Sequence, residues 1–391
     1  MTRKLFSAFL VSLALAALML AAACGADSTP TSSVTAEPTV DTPAGVGGKV
    51  GNFAPEFEGN ASWINSEPLV MSDLRGKVVL VDFWTYTCVN CIRTFPYLVD
   101  WNAKYADKGL VIVGVHTPEF EFEKDRDNVI RATEEHGIEY PVAQDNEFKT
   151  WRNYENSAWP AKYLTDANGV VRYSHLGEGK YDQVEAEIRK LLVEAGADLS
   201  GIEASMDPGP EFDFRAYGRD FESRITRELY AGTHRNFTIN GQYVADPAYY
   251  SATDVVTTYI ADFDYKNHFF YLQGPWLNGI ESVIHARRTE DFEDFVALKF
   301  YATSVNAVIN PYQTTEPFEV EVTMDGNSLK VNEAGADVIV EDGRSYFVVD
   351  EPRMYRVVEL PDFGGHELDL SAKSEGFALF AFTFGAYPEG P

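Results

Sequence analysis

At 391 residues the chain is long enough for two domains. Its 45% hydrophobic content excludes a wholly disordered protein. A net charge of −28, or −30 once Arg3 and Lys4 leave with a leader, makes a surface that repels nucleic acid and anionic lipid, so no nucleic-acid partner is expected.

Residues 1–24 read as an export signal. Arg3 and Lys4 give a charged start, and Leu5 to Leu20 is an apolar run too short and too early for a membrane span. The small residues that end it, Ala21-Ala22-Ala23 before Cys24, resemble the lipobox of bacterial lipoproteins, in which the cysteine is lipidated. Ala21 stands where that pattern has Leu, so plain cleavage after an Ala-X-Ala site stays open. Both routes carry the chain out of the cytoplasm, into a compartment where disulfides persist. Residues 25–50 are rich in Ser, Thr, Pro and Gly and form a disordered tether.

A first folded domain is expected over 51–197. It opens with a short hairpin built from Phe53–Phe57, Trp63-Ile64 and Leu69-Val70, then a turn or short helix at Ser72–Lys77. Val78–Trp84 is a continuous apolar run and reads as a buried strand of a parallel sheet. Ile92, Phe95, Leu98 and Val99 recur at helical spacing. Cys88 and Cys91 therefore lie where a strand ends and a helix begins.

Unpaired N–H groups and the positive dipole end of a helix favour a thiolate, so this position is expected to lower the pKa of the first sulfur. Cys88, exposed, would attack a disulfide, and Cys91, one turn in and more buried, would resolve the mixed disulfide. A structural disulfide is the bland alternative. A zinc site is the other, but zinc needs four ligands, and the one further cysteine is Cys24, with no histidine within twenty residues of the pair. No metal and no cofactor beyond a Cys88–Cys91 disulfide is expected. Asp82 interrupts the apolar strand; a buried carboxyl there could take the proton of Cys91 during exchange.

Asp82-Phe-Trp-Thr-Tyr-Thr-Cys88-Val-Asn-Cys91 resembles the active-site strand and helix of the thioredoxin superfamily, in its extracytoplasmic TlpA/ResA-like branch. The form Trp84-Thr-Tyr-Thr-Cys-Val-Asn-Cys-Ile-Arg-Thr94 is most similar to the soluble part of the DipZ proteins of cytochrome c biogenesis. The N-terminal extension and the polar helix Lys124–Gly137 fit that branch. The resemblance also gives meaning to Trp159-Pro160, a proline at the mouth of a strand and far in sequence from the cysteines. There it implies a cis bond, a ring pressed against the disulfide, and a preceding residue that offers backbone groups to an extended substrate. Val89 and Asn90, between the cysteines, are expected at the substrate face.

Leu110–Val115 is a second buried strand, with His116 at its end as a weak catalytic candidate. Glu119, Glu121 and Glu123 alternate with Phe120 and Phe122, a solvated turn or an acidic lip. Tyr140–Ala143 is a short strand, Glu147–Tyr154 a short helix, Val170–Leu176 a return strand and Tyr181–Ala195 the last helix.

Residues 198–210 read as a linker. Over 211–391 aromatic and β-branched runs alternate with turn signals such as Asp325-Gly326, Asp342-Gly343 and Gly364-Gly365. The expected fold is an all-β sandwich of jelly-roll type that looks like a carbohydrate-binding module. Trp276, Tyr249 and Tyr250 are candidate sugar platforms there.

Three readings follow. The first is a membrane-tethered thiol-disulfide oxidoreductase of the cell envelope, a reductase by its resemblance, acting on protein disulfides. It implies a separate membrane electron donor of the CcdA/DsbD type. The second is a thiol peroxidase, since Thr85-Tyr86-Thr87-Cys88 matches half of a peroxiredoxin motif, although Val81 replaces its proline. The third is a glycan- or protein-binding lipoprotein with an accessory redox domain.

Overall fold

The computed structural model describes residues 45–60, 62–205, 223–236, 241–262 and 264–386. The leader, Cys24, most of the tether and part of the linker lie outside the described residues.

The first sheet has the order β1-β4-β3-β2-β5-β6, with β1 Trp63–Ile64, β2 Val78–Trp84, β3 Leu110–His116, β4 Val142–Gln144, β5 Ala161–Thr165 and β6 Val171–Leu176. β2 and β3 are parallel, and β5 runs antiparallel to β2. Helices α1 (Val89–Tyr105), α2 (Arg126–Glu135), α3 (Lys149–Asn153) and α4 (Tyr181–Glu194) fall at or within two residues of the expected bounds, apart from the longer α1. The N-terminal hairpin does not form. β1 instead pairs with β4 at one edge of the sheet, while Gly51 and Asn52 bond to Val171 at the other. The extension thus covers both strand edges, which would otherwise be left open to association.

Every residue of β2 is buried because both faces are covered. Period-two alternation sorts them. Val78, Leu80 and Trp84 face the layer of α1 and α4, with Cys91, Phe95 and Leu98. Val79, Val81 and Phe83 face Met71, Tyr154 and Tyr163. By the same alternation Asp82 lies on the face of Cys91. Its cross-strand partner is Lys162, a residue that the sequence reading passed over. Lys162 Nζ stands 3.7 Å from Asp82 Oδ1, and both side chains are fully buried. Neither has a hydrogen-bond partner among the described residues.

The second half is all-β. Its strands are β7 Leu229–Tyr230, β8 Val256–Tyr259, β9 Phe269–Asn278, β10 Val283–His285, β11 Phe295–Ile309, β12 Phe318–Met324, β13 Asn327–Ser328, β14 Ile339–Glu341, β15 Arg344–Val349, β16 Arg353–Ala372 and β17 Ala378–Gly385. Nine of them form one hydrogen-bonded path, β14-β15-β12-β16-β11-β17-β10-β9-β8, with β13 beside β12 and β7 beside β17. A further β9–β11 pairing closes β9, β10, β17 and β11 into a small barrel-like ring. Asp325-Gly326 and Asp342-Gly343 are turns with positive φ at both residues, as hairpins of this kind require. Gly364-Gly365, expected as a turn, lies inside β16, opposite Ala302 and Tyr301. A Cβ on Gly365 would meet the Tyr301 ring at 2.5 Å, so the glycine lets that ring lie on the strand.

The described residues of the two halves belong to one compact unit. Phe380 of β17 meets Phe120 and Phe122 edge-on, with centroids 5.2 and 4.8 Å apart. Val89, Val308, Met354 and Ala381 join the same buried cluster. Around it, Arg131 pairs with Glu351 at 2.6 Å, and the Glu121 N–H donates to Glu281.

Two stability outcomes follow. Phe380→Ala should cost about 3 kcal/mol in urea unfolding and speed alkylation of Cys88, since a buried aromatic is lost from the contact that holds the domains together. Asp82→Leu alone should cost about 3–5 kcal/mol by stranding the Lys162 ammonium, and Asp82→Leu with Lys162→Met should recover most of that loss in the same assay.

Candidate active site

Cys88 is the N-cap of α1, and its Sγ accepts the Cys91 N–H at 3.3 Å. No Ser, Thr, Asp or Asn is available at that position, so the sulfur fills the role of the usual capping oxygen. Both cysteines are free thiols; Cys88 is half-buried and Cys91 buried. The Trp159–Pro160 bond is cis. Trp159 donates its Nε1 hydrogen to the Thr117 carbonyl at 3.0 Å and packs on Trp151, with centroids 4.3 Å apart. Cys88, Asn90, Ala158 and Trp159 line one cleft of about 230 Å³.

Val89 is not at the substrate face. It is 2% exposed, packed into the apolar cluster between the domains, because the first turn of α1 meets the second domain on that side. Asn90 does line the cleft and accepts from Arg93 through Oδ1.

The second domain forms the far wall of the cleft through Glu228, Tyr230, Arg235, Val308, Ala381 and Thr383. This changes the electrostatics expected at Cys88. Burial pushes the Cys88 thiol above its ordinary range, and the charges of Glu228 and Glu119 push the same way. The hydrogen bonds from Cys91 oppose them and lose. The helix terminus alone would have favoured the thiolate. Cys91 is raised well above its ordinary value, first by burial, then by Cys88, with Asp82 adding to it. Asp82 itself is pushed up to about 6 by burial, against the pull of Lys162.

Glu119 and Glu123 are not a solvated turn. Glu123 is fully buried. It accepts the Thr87 hydroxyl and the N–H groups of Glu119 and Phe120, which ties the loop after β3 to the residue before Cys88. Burial and then Glu119 push its carboxyl up to about 7. Glu119 lines the cleft and accepts from Tyr230 Oη at 2.9 Å and Arg235 at 2.8 Å. The alternation of Glu with Phe over 119–123 was the available signal: Phe120 and Phe122 go to the interface, Glu119 and Glu123 turn to the cleft and to Thr87, and Glu121 stays exposed beside Lys124.

His116 is buried and neutral, its pKa lowered to about 3 by burial, and its Nε2 lies 3.4 Å from the Thr85 hydroxyl. That is a structural histidine. Trp276 and Tyr249 are fully buried in the second-domain core, and the Tyr250 hydroxyl is engaged with Asn236 and Val244. The two buried rings present no face to a sugar. Among the described residues no group of three or more His, Cys, Asp or Glu is arranged to hold a metal ion, and no helix is long and apolar enough to cross a membrane.

The chain is similar to known proteins over both halves. Residues 50–174 match the AhpC/TSA family, and residues 226–385 match the "Thioredoxin like C-terminal domain" family. The chain is 33% identical over 342 residues to protein DipZ of Mycobacterium tuberculosis, covering 85% of this chain but 43% of DipZ, so it spans less than half of that relative. It is 29% identical to the thiol-disulfide oxidoreductase YkuV of Bacillus subtilis, over 36% of this chain and 94% of YkuV. A solved thiol-disulfide isomerase from Corynebacterium glutamicum, 26% identical, covers 36% of this chain and 96% of its own, with a TM-score of 0.33. Residues 50–174 thus form a thioredoxin-like AhpC/TSA domain, and the chain is similar to DipZ and, over that domain, to the thiol-disulfide oxidoreductases YkuV and ResA.

Proposed function

We propose that this protein is a thiol-disulfide oxidoreductase that reduces disulfides in polypeptide substrates outside the cytoplasm. The observation that carries the reading is the pair of free thiols at the start of α1, with Cys88 open to a cleft and Cys91 behind it. The Cys88 thiolate attacks one sulfur of the substrate disulfide. A mixed disulfide forms, and the other substrate sulfur leaves as a thiolate that takes up a proton. Cys91 then gives its proton to the Asp82 carboxylate and attacks Cys88 Sγ. The Cys88–Cys91 disulfide forms, and the second substrate thiol is released. Two electrons pass from protein to substrate, and a dithiol donor must restore them.

Asp82 suits the proton-accepting role. It lies on the Cys91 face of β2, and a pKa of about 6 makes it a base near neutral pH. Lys162, directly opposite, keeps the carboxylate within reach of ionisation despite full burial. Trp159 and Pro160 hold the substrate chain, and Asn90 stands at the same cleft. Lipidation of Cys24 tethers the protein to the outer face of a membrane, where a CcdA/DsbD-type protein supplies electrons. The peroxiredoxin-type motif is only half present, with Val81 where it has proline, which favours exchange over peroxide chemistry at Cys88.

Cys88→Ser should abolish reduction of a disulfide substrate in a turnover assay with a dithiol donor; retained activity would refute the mechanism. In single-turnover measurements the release of the mixed disulfide should accelerate as pH rises through about 6, because Asp82 becomes a base only when deprotonated. Asp82→Asn should remove that rise and slow release about 100-fold.

A further inference from the structure

We propose that the second domain gives the exchange site a charge-selecting wall, so that the preferred substrate is an extended polypeptide with a basic residue beside its reactive cysteine. This deepens the oxidoreductase reading and rests on it.

The cleft is smaller than the roughly 300–1,000 Å³ pockets that enclose drug-sized ligands, so it has room for a side chain or two of an extended segment and none for a folded surface. Three charged groups line it: Glu119, Glu228 and Arg235. Arg235 bonds Glu119 at 2.8 Å. Tyr230 Oη lies 2.9 Å from Glu119 and 2.8 Å from Glu228, but a phenol has a single hydrogen and serves one carboxylate at a time. Glu228 makes no ion pair among the described residues; its side chain keeps accessible surface, and although crowding in the cleft and the Glu119 charge raise its pKa, the Tyr230 hydroxyl and the Arg235 charge pull it back towards the carboxylate. One negative charge next to Cys88 is therefore left over.

This wall is held firmly. β7 pairs with β17, placing Tyr230 against Ala381. The N–H groups of Thr233 and His234 donate to the carbonyls of Gly279 and Ile280, and a Cβ on Gly232 would meet Glu281 backbone at 2.3 Å. The Arg235 guanidinium lies 4.5 Å from the centre of the Tyr230 ring. The charges are thus positioned before substrate arrives.

The uncompensated carboxylate opposes the Cys88 thiolate. An incoming lysine or arginine neutralises it at the moment the substrate sulfur comes within reach, so the correct substrate helps to ionise its own attacker. An acidic neighbour on the substrate adds repulsion instead.

The test uses the full chain and two short peptides joined by a disulfide to glutathione, alike except for Lys or Glu beside the cysteine. At low salt the Lys peptide should be reduced about tenfold faster in kcat/KM than the Glu peptide, and added salt should shrink the gap. In Glu228→Gln, checked for folding by circular dichroism, the preference should fall to about twofold or less. Equal rates on the two peptides with the unmodified protein, or a preference unchanged in Glu228→Gln, would overturn the wall while leaving the exchange reading intact. If neither peptide is reduced although iodoacetamide alkylates Cys88, the exchange reading falls and this proposal with it.

Discussion

The contact of Phe380 with Phe120 and Phe122 is the constraint on which the site depends. Apolar burial draws the tip of β17 onto the loop after β3, next to the first turn of α1. Once that contact is made, β7 beside β17 brings Glu228, Tyr230 and Arg235 to the mouth of the cysteine cleft. The second domain is therefore part of the site, and the thioredoxin-like domain alone would present a different electrostatic environment to Cys88.

Two layers of charge surround the cysteines, and each has its own cause. Inside the fold, Asp82 and Lys162 are forced together by strand register. Removed from water, they are costly individually and tolerable only as a pair. Burial and the Lys162 charge act on the carboxyl in opposite directions and leave it at about 6. At the surface of the cleft, Glu119 and Glu228 compete for the Tyr230 hydroxyl, while the Arg235 guanidinium pairs with Glu119. In the proposed mechanism the first layer takes the proton of Cys91, and the second sets when Cys88 ionises.

The loop between β3 and α2 links these layers. Glu123 anchors it from below, through Thr87 and two backbone N–H groups, while Phe120 and Phe122 anchor it from above. A five-residue stretch thus fixes the distance between the active-site turn and the second domain. The stretch ends in a single 3-10 turn, Glu121–Lys124, which sends Phe120 and Phe122 to the second domain and Glu123 inward while Glu121 stays exposed.

Much was legible in the chain itself. The apolar run Val78–Trp84, the helical spacing after it and the Cys88/Cys91 pair establish a strand, a helix and a dithiol at their junction, because these are local patterns with local causes. The cis bond before Pro160 followed from the resemblance those residues carry. Strands such as β12, β15 and β17 were legible from short β-rich runs, whereas β11 was not, since it is buried on both faces, shows no alternation and is interrupted by register shifts. Lys162 escaped notice because its meaning lies in a cross-strand partner eighty residues away. Val89 read as a substrate contact and Glu119 as a surface turn for the same reason: their burial is decided by what packs over them. Composition and periodicity determined which elements form and where the two sulfurs stand. Only tertiary packing decided which charges meet those sulfurs, because electrostatic neighbours in a fold are set by distance in space and not by separation along the chain.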